Sequence, residues 1–268
     1  MKRTVLLLML GFAISGCARQ TPLESANKSS QSTARVVAKS PAKNVVKSSP
    51  RFANFSPDNE RFVVGFWHGD YRSGIEKISG SLEIWDVHKR RKIGKIQFDD
   101  PVKTAVFLPR RNALLVSAGK TYLCDLTIGH TAKKVVSKHS AEVMALSLDG
   151  KIVALTAQND VEIRNVSNWK VRNRIKMESP RAAFVRVMGF SPDGRRLLIG
   201  LSDVKNGIEL YNSATGRKVW TADGDMESDV AWSPDGKRIA VNMWQDLCLF
   251  RASDGKTIDL LHNSDLLL

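Results

Sequence analysis

Apolar and polar residues alternate along this chain in short runs that recur at a fixed spacing. The runs are Leu82-Glu83-Ile84-Trp85-Asp86, Thr121-Tyr122-Leu123-Cys124-Asp125, Val161-Glu162-Ile163-Arg164-Asn165, Ile208-Glu209-Leu210-Tyr211-Asn212 and Leu247-Cys248-Leu249-Phe250-Arg251. Apolar residues hold the first and third positions of nearly every copy, the period-2 pattern of a β-strand with one face inward. A second signature precedes each run. It is fullest at Trp232-Ser233-Pro234-Asp235-Gly236 and Phe190-Ser191-Pro192-Asp193-Gly194. It is weaker at Phe55-Ser56-Pro57-Asp58-Asn59 and Leu146-Ser147-Leu148-Asp149-Gly150, and degenerate at Phe107-Leu108-Pro109-Arg110-Arg111-Asn112.

The signature predicts a tight hairpin between two strands. Its aromatic residue or Leu ends an apolar strand. Proline presets φ for the first turn position, Asp bonds nearby backbone, and Gly or Asn accepts positive φ. The anchors Phe55, Phe107, Leu146, Phe190 and Trp232 lie 52, 39, 44 and 42 residues apart. That spacing is the period of a four-stranded propeller blade. A lone blade leaves apolar faces bare, so neighbours must stack. The expected fold is all-β: a β-propeller of four-stranded antiparallel blades, five in number. The blades are placed at Arg51–Asp99, Pro101–Val136, Lys138–Met177, Phe184–Ala222 and Val230–Leu261. The tail, Asn263–Leu268, is left to begin a further strand or to close the ring.

The Ser-Pro-Asp-Gly turns, the Trp85-Asp86 pair and the set His139, Asp160 and Arg164 carry a resemblance to the WD40-like β-propellers, over about residues 51–262. The resemblance implies that a His, a turn Asp and a Trp tie each blade together. Blade one alone keeps Trp-Asp, and Arg164 stands in blade three where the family has Trp. WD40-type rings more often have seven blades, so the alternative to a five-blade ring is an array that another chain completes. The turns also resemble those of periplasmic TolB-type propellers.

Ahead of the repeats lie two segments of different character. Met1-Lys2-Arg3 is basic, and Val5–Ile14 is apolar. At about ten residues that run is shorter than the roughly 20 a membrane-spanning helix needs, and it fits a secretory signal. It closes with Ile14-Ser15-Gly16-Cys17, which looks like a bacterial lipobox. The resemblance implies cleavage after residue 16 and lipidation of Cys17; the alternative is an ordinary signal peptide with an incidental thiol. Ala18 rather than Asp after the cysteine matches outer-membrane sorting by the same resemblance. Residues 17–50 hold no aromatic residue, six Lys/Arg and one acid, and read as a basic disordered tether to the propeller at 51–268.

Candidate binding residues come from two places. Blade one carries the longest insertion of the repeat, residues 67–80, with Trp67, His68, Tyr71 and Arg72. Long loops on rigid scaffolds carry binding, and Trp, Tyr and Arg dominate interface energetics; the alternative is an extended hairpin packing its own aromatics. Four residues before each anchor stand Arg51, Lys103, Glu142, Arg186 and Ser228. If the register holds, these surround one mouth of the central channel as three cations and an acid, a focused positive field. The alternative is ordinary solvated strand ends.

Catalytic chemistry is sparse. The five histidines have no metal-ligand spacing, and no nucleophile elbow, phosphate loop or calcium loop occurs, so no cofactor and no metal are expected. Cys124 and Cys248 sit in non-neighbouring blades and are expected to be buried thiols without a bridge. The formal charge is +14, of which about +7 falls on the propeller. That balance suits an acidic partner, and no nucleic-acid reading motif accompanies it. The reading is a lipid-anchored propeller in the cell envelope that binds an envelope protein. The alternative is an anionic-glycan binder, or a glycan-cleaving enzyme with paired carboxylates at the mouth, to which Glu142, Glu227 and Asp229 are the candidates.

Overall fold

The Ser-Pro-Asp-Gly signature closes its hairpins around the serine hydroxyl. Ser191 Oγ donates to Asp193 Oδ1 at 2.6 Å and accepts the N–H of Arg196 at 2.9 Å. Asp193 in turn accepts the N–H of Arg195 at 3.0 Å. The same three bonds recur at Ser56, Ser147 and Ser233 with Asp58, Asp149 and Asp235. Gly194 and Gly236 complete the turn at φ of 69° and 68°, the left-handed region where a Cβ is penalised. In blade two Leu108 replaces the serine, and the turn keeps only its backbone bond from Arg111 N–H to Leu108 O.

A computed structural model describes residues 48–69, 78–109, 111–127, 133–158, 160–177, 185–202, 207–224, 226–243 and 246–262. Cys17, the leader, most of the tether, Tyr71, Arg72 and the tail from residue 263 lie outside them. The described residues form twenty strands in five four-stranded antiparallel sheets and no helix. Blade one is β1 (Ser48–Phe55), β2 (Arg61–His68), β3 (Ser79–Asp86) and β4 (Arg91–Phe98). Blade two is β5 (Val102–Leu108), β6 (Ala113–Ala118), β7 (Lys120–Asp125) and β8 (Lys133–Ser137). Blade three is β9 (Met144–Leu146), β10 (Ile152–Ala157), β11 (Asp160–Asn165) and β12 (Val171–Lys176). Blade four is β13 (Val185–Phe190), β14 (Arg196–Leu201), β15 (Ile208–Asn212) and β16 (Lys218–Ala222). Blade five is β17 (Met226–Trp232), β18 (Arg238–Met243), β19 (Asp246–Arg251) and β20 (Thr257–His262). The fold is a five-blade β-propeller, with β1, β5, β9, β13 and β17 as successive innermost strands.

Blade one starts three residues earlier than the sequence pattern suggested, and its second hairpin is longer. β2 runs to His68 and β3 begins at Ser79, so Trp67 and His68 belong to paired strand rather than to a loop. The extension follows from β2–β3 pairing that continues to His68 opposite Ser79. Blade five begins at Met226, four residues before the expected Val230.

Blades are joined by one recurring contact. The preceding blade presents small or aliphatic residues of its second and third strands. The next blade lays on them its anchor, a second-strand residue and the residue in the Trp column. Val63, Leu82 and Ile84 meet Phe107, Leu114 and Cys124. Ala154, Val161 and Ile163 meet Phe190, Leu197 and Tyr211. Leu198, Ile208 and Leu210 meet Trp232, Ile239 and Phe250. Leu115 with Val153 and Leu146 forms the equivalent contact between blades two and three. Each such buried aliphatic or aromatic side chain contributes about 1.5–3 kcal/mol. Among the described residues no core cluster joins blade five to blade one, and no sheet mixes strands from the two ends of the chain.

The polar positions of the third strands are also accounted for. Glu209 is buried and accepts Tyr211 Oη at 2.6 Å and Lys218 Nζ at 2.7 Å. Glu162 is buried in the matching position between Arg164 and Arg174, each at 2.6 Å. Burial raises the Glu162 pKa, but the two guanidiniums outweigh it and hold the carboxyl below its usual range. Arg164, in the place of the family's Trp, is therefore half of a buried ion pair. The hydrogen bonds of His139 run through its backbone, to Thr121 Oγ1 and Ser137 Oγ, and Asp160 pairs with Arg174 at 3.8 Å. The family's His–Asp tie is thus replaced in blade three. Cys124 and Cys248 are buried free thiols, as their separation implied, and burial pushes Cys124 up to about 12.

Ser191→Ala removes the donor and acceptor at the centre of the blade-four turn and strands a buried N–H. It should lower unfolding free energy by about 1–3 kcal/mol, read from the urea midpoint. The turn carboxylates also set an acid limit. The serine hydroxyl and the neighbouring N–H hold Asp58, Asp193 and Asp235 below the ordinary value of 3.8, and at Asp149 the Lys151 N–H is the larger cause. A carboxyl with a depressed folded-state pKa stabilises the fold above its unfolded value, and that stability is lost as pH falls through the depressed one. Stability should drop as pH falls below about 4, the ordinary carboxyl value, and Asp193→Asn should flatten that slope when urea melts are compared across the acid range.

Candidate functional site

Four of the five residues placed at the channel mouth, all but Glu142, fall where the strand pairing is irregular. Pairing of β1 with β2 slips between Pro50 and Phe52, leaving Arg51 as the extra residue of a β-bulge. The slip recurs between Val102 and Thr104 around Lys103, and between Val185 and Val187 around Arg186. In β17 the register shifts between Met226 and Val230, the stretch that contains Ser228, whose side chain lies outside the described residues. A bulge turns one side chain out of the regular alternation, and bulges concentrate at barrel rims and beside binding sites. Three cations thus occupy the same irregular position on three innermost strands. Glu142 stands two residues before β9, and its N–H donates to Thr156 Oγ1 at 2.8 Å.

Each cation is held by a specific neighbour. The Arg51 guanidinium lies 4.2 Å over the ring of Trp67. Trp67 Nε1 donates to Val102 O at 2.6 Å, so the indole straps blade one to blade two while serving as the platform for Arg51. Lys103 forms an ion pair with Glu142 across the junction of blades two and three. Arg186 Nε donates to Ser202 Oγ at 2.7 Å. Arg51, Glu142 and Arg186 are exposed and Lys103 is half-buried. A guanidinium stacked on an indole keeps its in-plane N–H groups directed outward, the geometry that recognises carboxylate or phosphate.

The inserted hairpin of blade one contributes less than expected as a loop. His68 Nε2 is 2.7 Å from Ser81 Oγ, and burial, then Lys95, lowers the His68 pKa. His68 is thereby a neutral strut of the hairpin stem. Tyr71 and Arg72 lie outside the described residues. Of the insertion, Trp67 is brought to the mouth residues and His68 is not in contact with them.

Carboxylate chemistry finds one engaged acid. Glu142 is occupied by Lys103, and Asp229 on β17 has a carboxyl pushed up by partial burial. The side chain of Glu227 lies outside the described residues. Among the described residues no group of three His, Cys, Asp or Glu side chains could hold a metal ion.

The opposite face carries clefts between successive turns. One of 520 Å³ lies between the turns at Pro192 and Pro234 beside Arg196, Lys237 and Arg251. Others of 440 and 400 Å³ occupy matching places between blades three and four and between blades one and two. Their recurrence marks them as a product of the repeat. Arg196 Nη1, donating to Ala252 O at 2.6 Å, shows the use made of one: tying adjacent blades.

Sequence spacing singled out the row of Arg51, Lys103, Glu142 and Arg186, but it did not show Trp67 as the support of Arg51 or the bulges at Arg51, Lys103 and Arg186. No signal in the spacing marks the bulges, since an extra residue in one strand leaves its neighbours' polarity unchanged. Thr156, which fastens Glu142, sits in the second strand β10, and Ser202, which fastens Arg186, directly follows the second strand β14; the apolar pattern of both strands conceals them.

No family model matches the chain, and no curated protein sequence matches it. Solved structures do. A chain in the crystal structure of the mitotic checkpoint complex superposes with a TM-score of 0.64 at 19% identity, over 80% of this chain and 67% of that one. A chain of Kuenenia stuttgartiensis hydrazine synthase matches with a TM-score of 0.56 at 18% identity, over 74% of this chain and 62% of that one. The β-propeller domain of Myceliophteria thermophila Cps50 (Swd1) matches with a TM-score of 0.54 at 14% identity, over 78% and 84%. At such identities the likeness is one of fold. This chain is built as a five-blade β-propeller.

Proposed function

We propose that this chain is an exported, lipid-anchored propeller that serves as a protein-interaction platform in the bacterial cell envelope. Its partner is an acidic envelope protein, received at the mouth formed by Arg51, Lys103, Glu142 and Arg186. The observation that carries the reading is the placement of three cations on equivalent β-bulges of three innermost strands. Regular pairing would be the simpler backbone at those positions, and each bulge exposes a charge. The Ile14-Ser15-Gly16-Cys17 segment supports export and an anchor at Cys17. A lipid chain adds about 0.8 kcal/mol per buried CH₂, so more than one chain is needed for stable attachment. The mitotic checkpoint neighbour is a chain of a named multi-protein complex, which agrees with use of this fold as a platform.

The test is capture of the lipidated protein from its own envelope, with mass spectrometry of the retained proteins. A variant carrying Arg51→Ala, Lys103→Ala and Arg186→Ala together should retain the acidic partner at least about tenfold less well, with unchanged thermal stability. Equal retention by wild type and variant removes the mouth from the proposal. Retention of anionic glycan without a stoichiometric protein overturns the choice of partner. Cys17→Ser should release the protein from membranes on fractionation.

A further inference from the structure

Each of the four internal junctions has two halves, and the ends of the array leave one of each without its counterpart. Blade one presents Phe55, Phe62 and Trp85, the columns that elsewhere lie down on a preceding blade. Blade five presents Ala240, Leu247 and Leu249, the columns that elsewhere receive the next one. Phe55 is 56% exposed, whereas Phe107 in the same column is 5% exposed. Leu247 is 38% exposed, whereas Ile208 in the same column is fully buried. On blade one the aromatics are already ordered against each other: Phe55 and Phe62 have centroids 5.8 Å apart, and Phe62 stacks on Trp85 at 6.0 Å.

We propose that these two faces meet between molecules: blade five of one copy packs on blade one of the next, and the chain self-associates head to tail. A second copy is the occupant for a reason internal to the repeat. The chain shows four times what covers each face, and it carries both halves of that contact in the same register. Aromatic anchors settle on small and aliphatic residues at three of the four internal junctions, and Leu146 does so at the fourth. The ends offer aromatic anchors on blade one and small and aliphatic residues on blade five. Among the described residues no strand exchange ties the two ends of the chain together. A contact between two different patches is heterologous, and it builds a ring or a filament rather than an isolated two-fold dimer.

The size of the contact sets its strength. Six residues at about 3.3 Å and four strands about 4.8 Å apart give a face of roughly 300 Å². A standard interface buries about 800 Å² per partner, so one junction is weak and association should show toward the upper end of the concentrations tested. The faces are remote in sequence from the mouth residues except at β1, so this proposal and the partner-binding proposal fail independently.

The experiment is sedimentation velocity on the full chain carrying Cys17→Ser, so that lipid does not set the mass, from about 1 to about 200 µM. Wild-type faces should give a mass that rises with concentration. Phe55→Asp, which disables only the blade-one face, and Leu247→Asp, which disables only the blade-five face, should each be monomeric alone. Mixed in equal amounts they retain one intact half each and should form a heterodimer that grows no further. Both residues are exposed, and thermal melts check that the variants remain folded. A monomer at every concentration, association of either variant alone, or a mixture that stays monomeric while the parent associates overturns the proposal.

Discussion

No blade of this chain can be stable by itself, because each internal sheet is apolar on both faces. Everything else follows from that constraint. A four-stranded sheet with Leu114 on one face and Leu115 on the other must be sandwiched, and the chain supplies the slices in sequence order. The contact is directional. One face is aliphatic and flat, the other carries the bulky anchor, so blades add in one sense only. The residues that fill the Trp column differ from blade to blade, as Trp85, Cys124, Arg164, Tyr211 and Phe250 do, yet they perform one packing task. Where the column turned polar, at Arg164, the buried carboxylate of Glu162 offsets its charge, and the half-exposed Arg174 pairs with the same carboxylate. Such a buried pair is costly to break and adds little over an apolar substitute. Its use here is to let a column drift in sequence without opening the junction.

The turn and the bulge divide the labour between the two ends of each innermost strand. At one end the serine-centred turn fixes where the second strand begins, with three hydrogen bonds repeated in four of the five blades. At the other end the register is allowed to slip, and the slip turns a cation outward. A regular turn at one end and a bulge at the other let the same strand turn one side chain out while the ladder between them stays paired. Trp67 links the two levels: it straps blade one to blade two and carries Arg51 on its face.

A repeat architecture also has a general consequence at its termini. Internal faces are covered by the next copy of the same pattern, and the terminal ones need something else. Many propellers solve this by sharing strands between the first and last blades. Among the described residues each blade is made of four consecutive strands, and no core cluster spans the seam between blades five and one. The exposed aromatics of blade one and the leucines of blade five are the visible result.

Much of this architecture was legible in the residues. Alternation marked the third strands, the anchors marked the blade period, and Pro, Asp and Gly marked the turns, because strand faces and turn dihedrals are local properties. The mouth row was legible as a row because a repeat carries one register through every blade. The role of the serine at the centre of the turn was not, since a hydroxyl at a turn reads as solvated polarity until its partners are placed. Neither was the assignment of Trp67 and His68 to strand, which depends on pairing across a hairpin. What the sequence by itself determined was a stack of five similar sheets, with their order and inward faces. Only the tertiary structure decided which side chains share a neighbour, as Arg51 with Trp67 or Lys103 with Glu142, and whether the first and last blades touch. Those outcomes depend on the small rotation between successive blades, a quantity that accumulates around the array and that no local pattern of apolar and polar residues specifies.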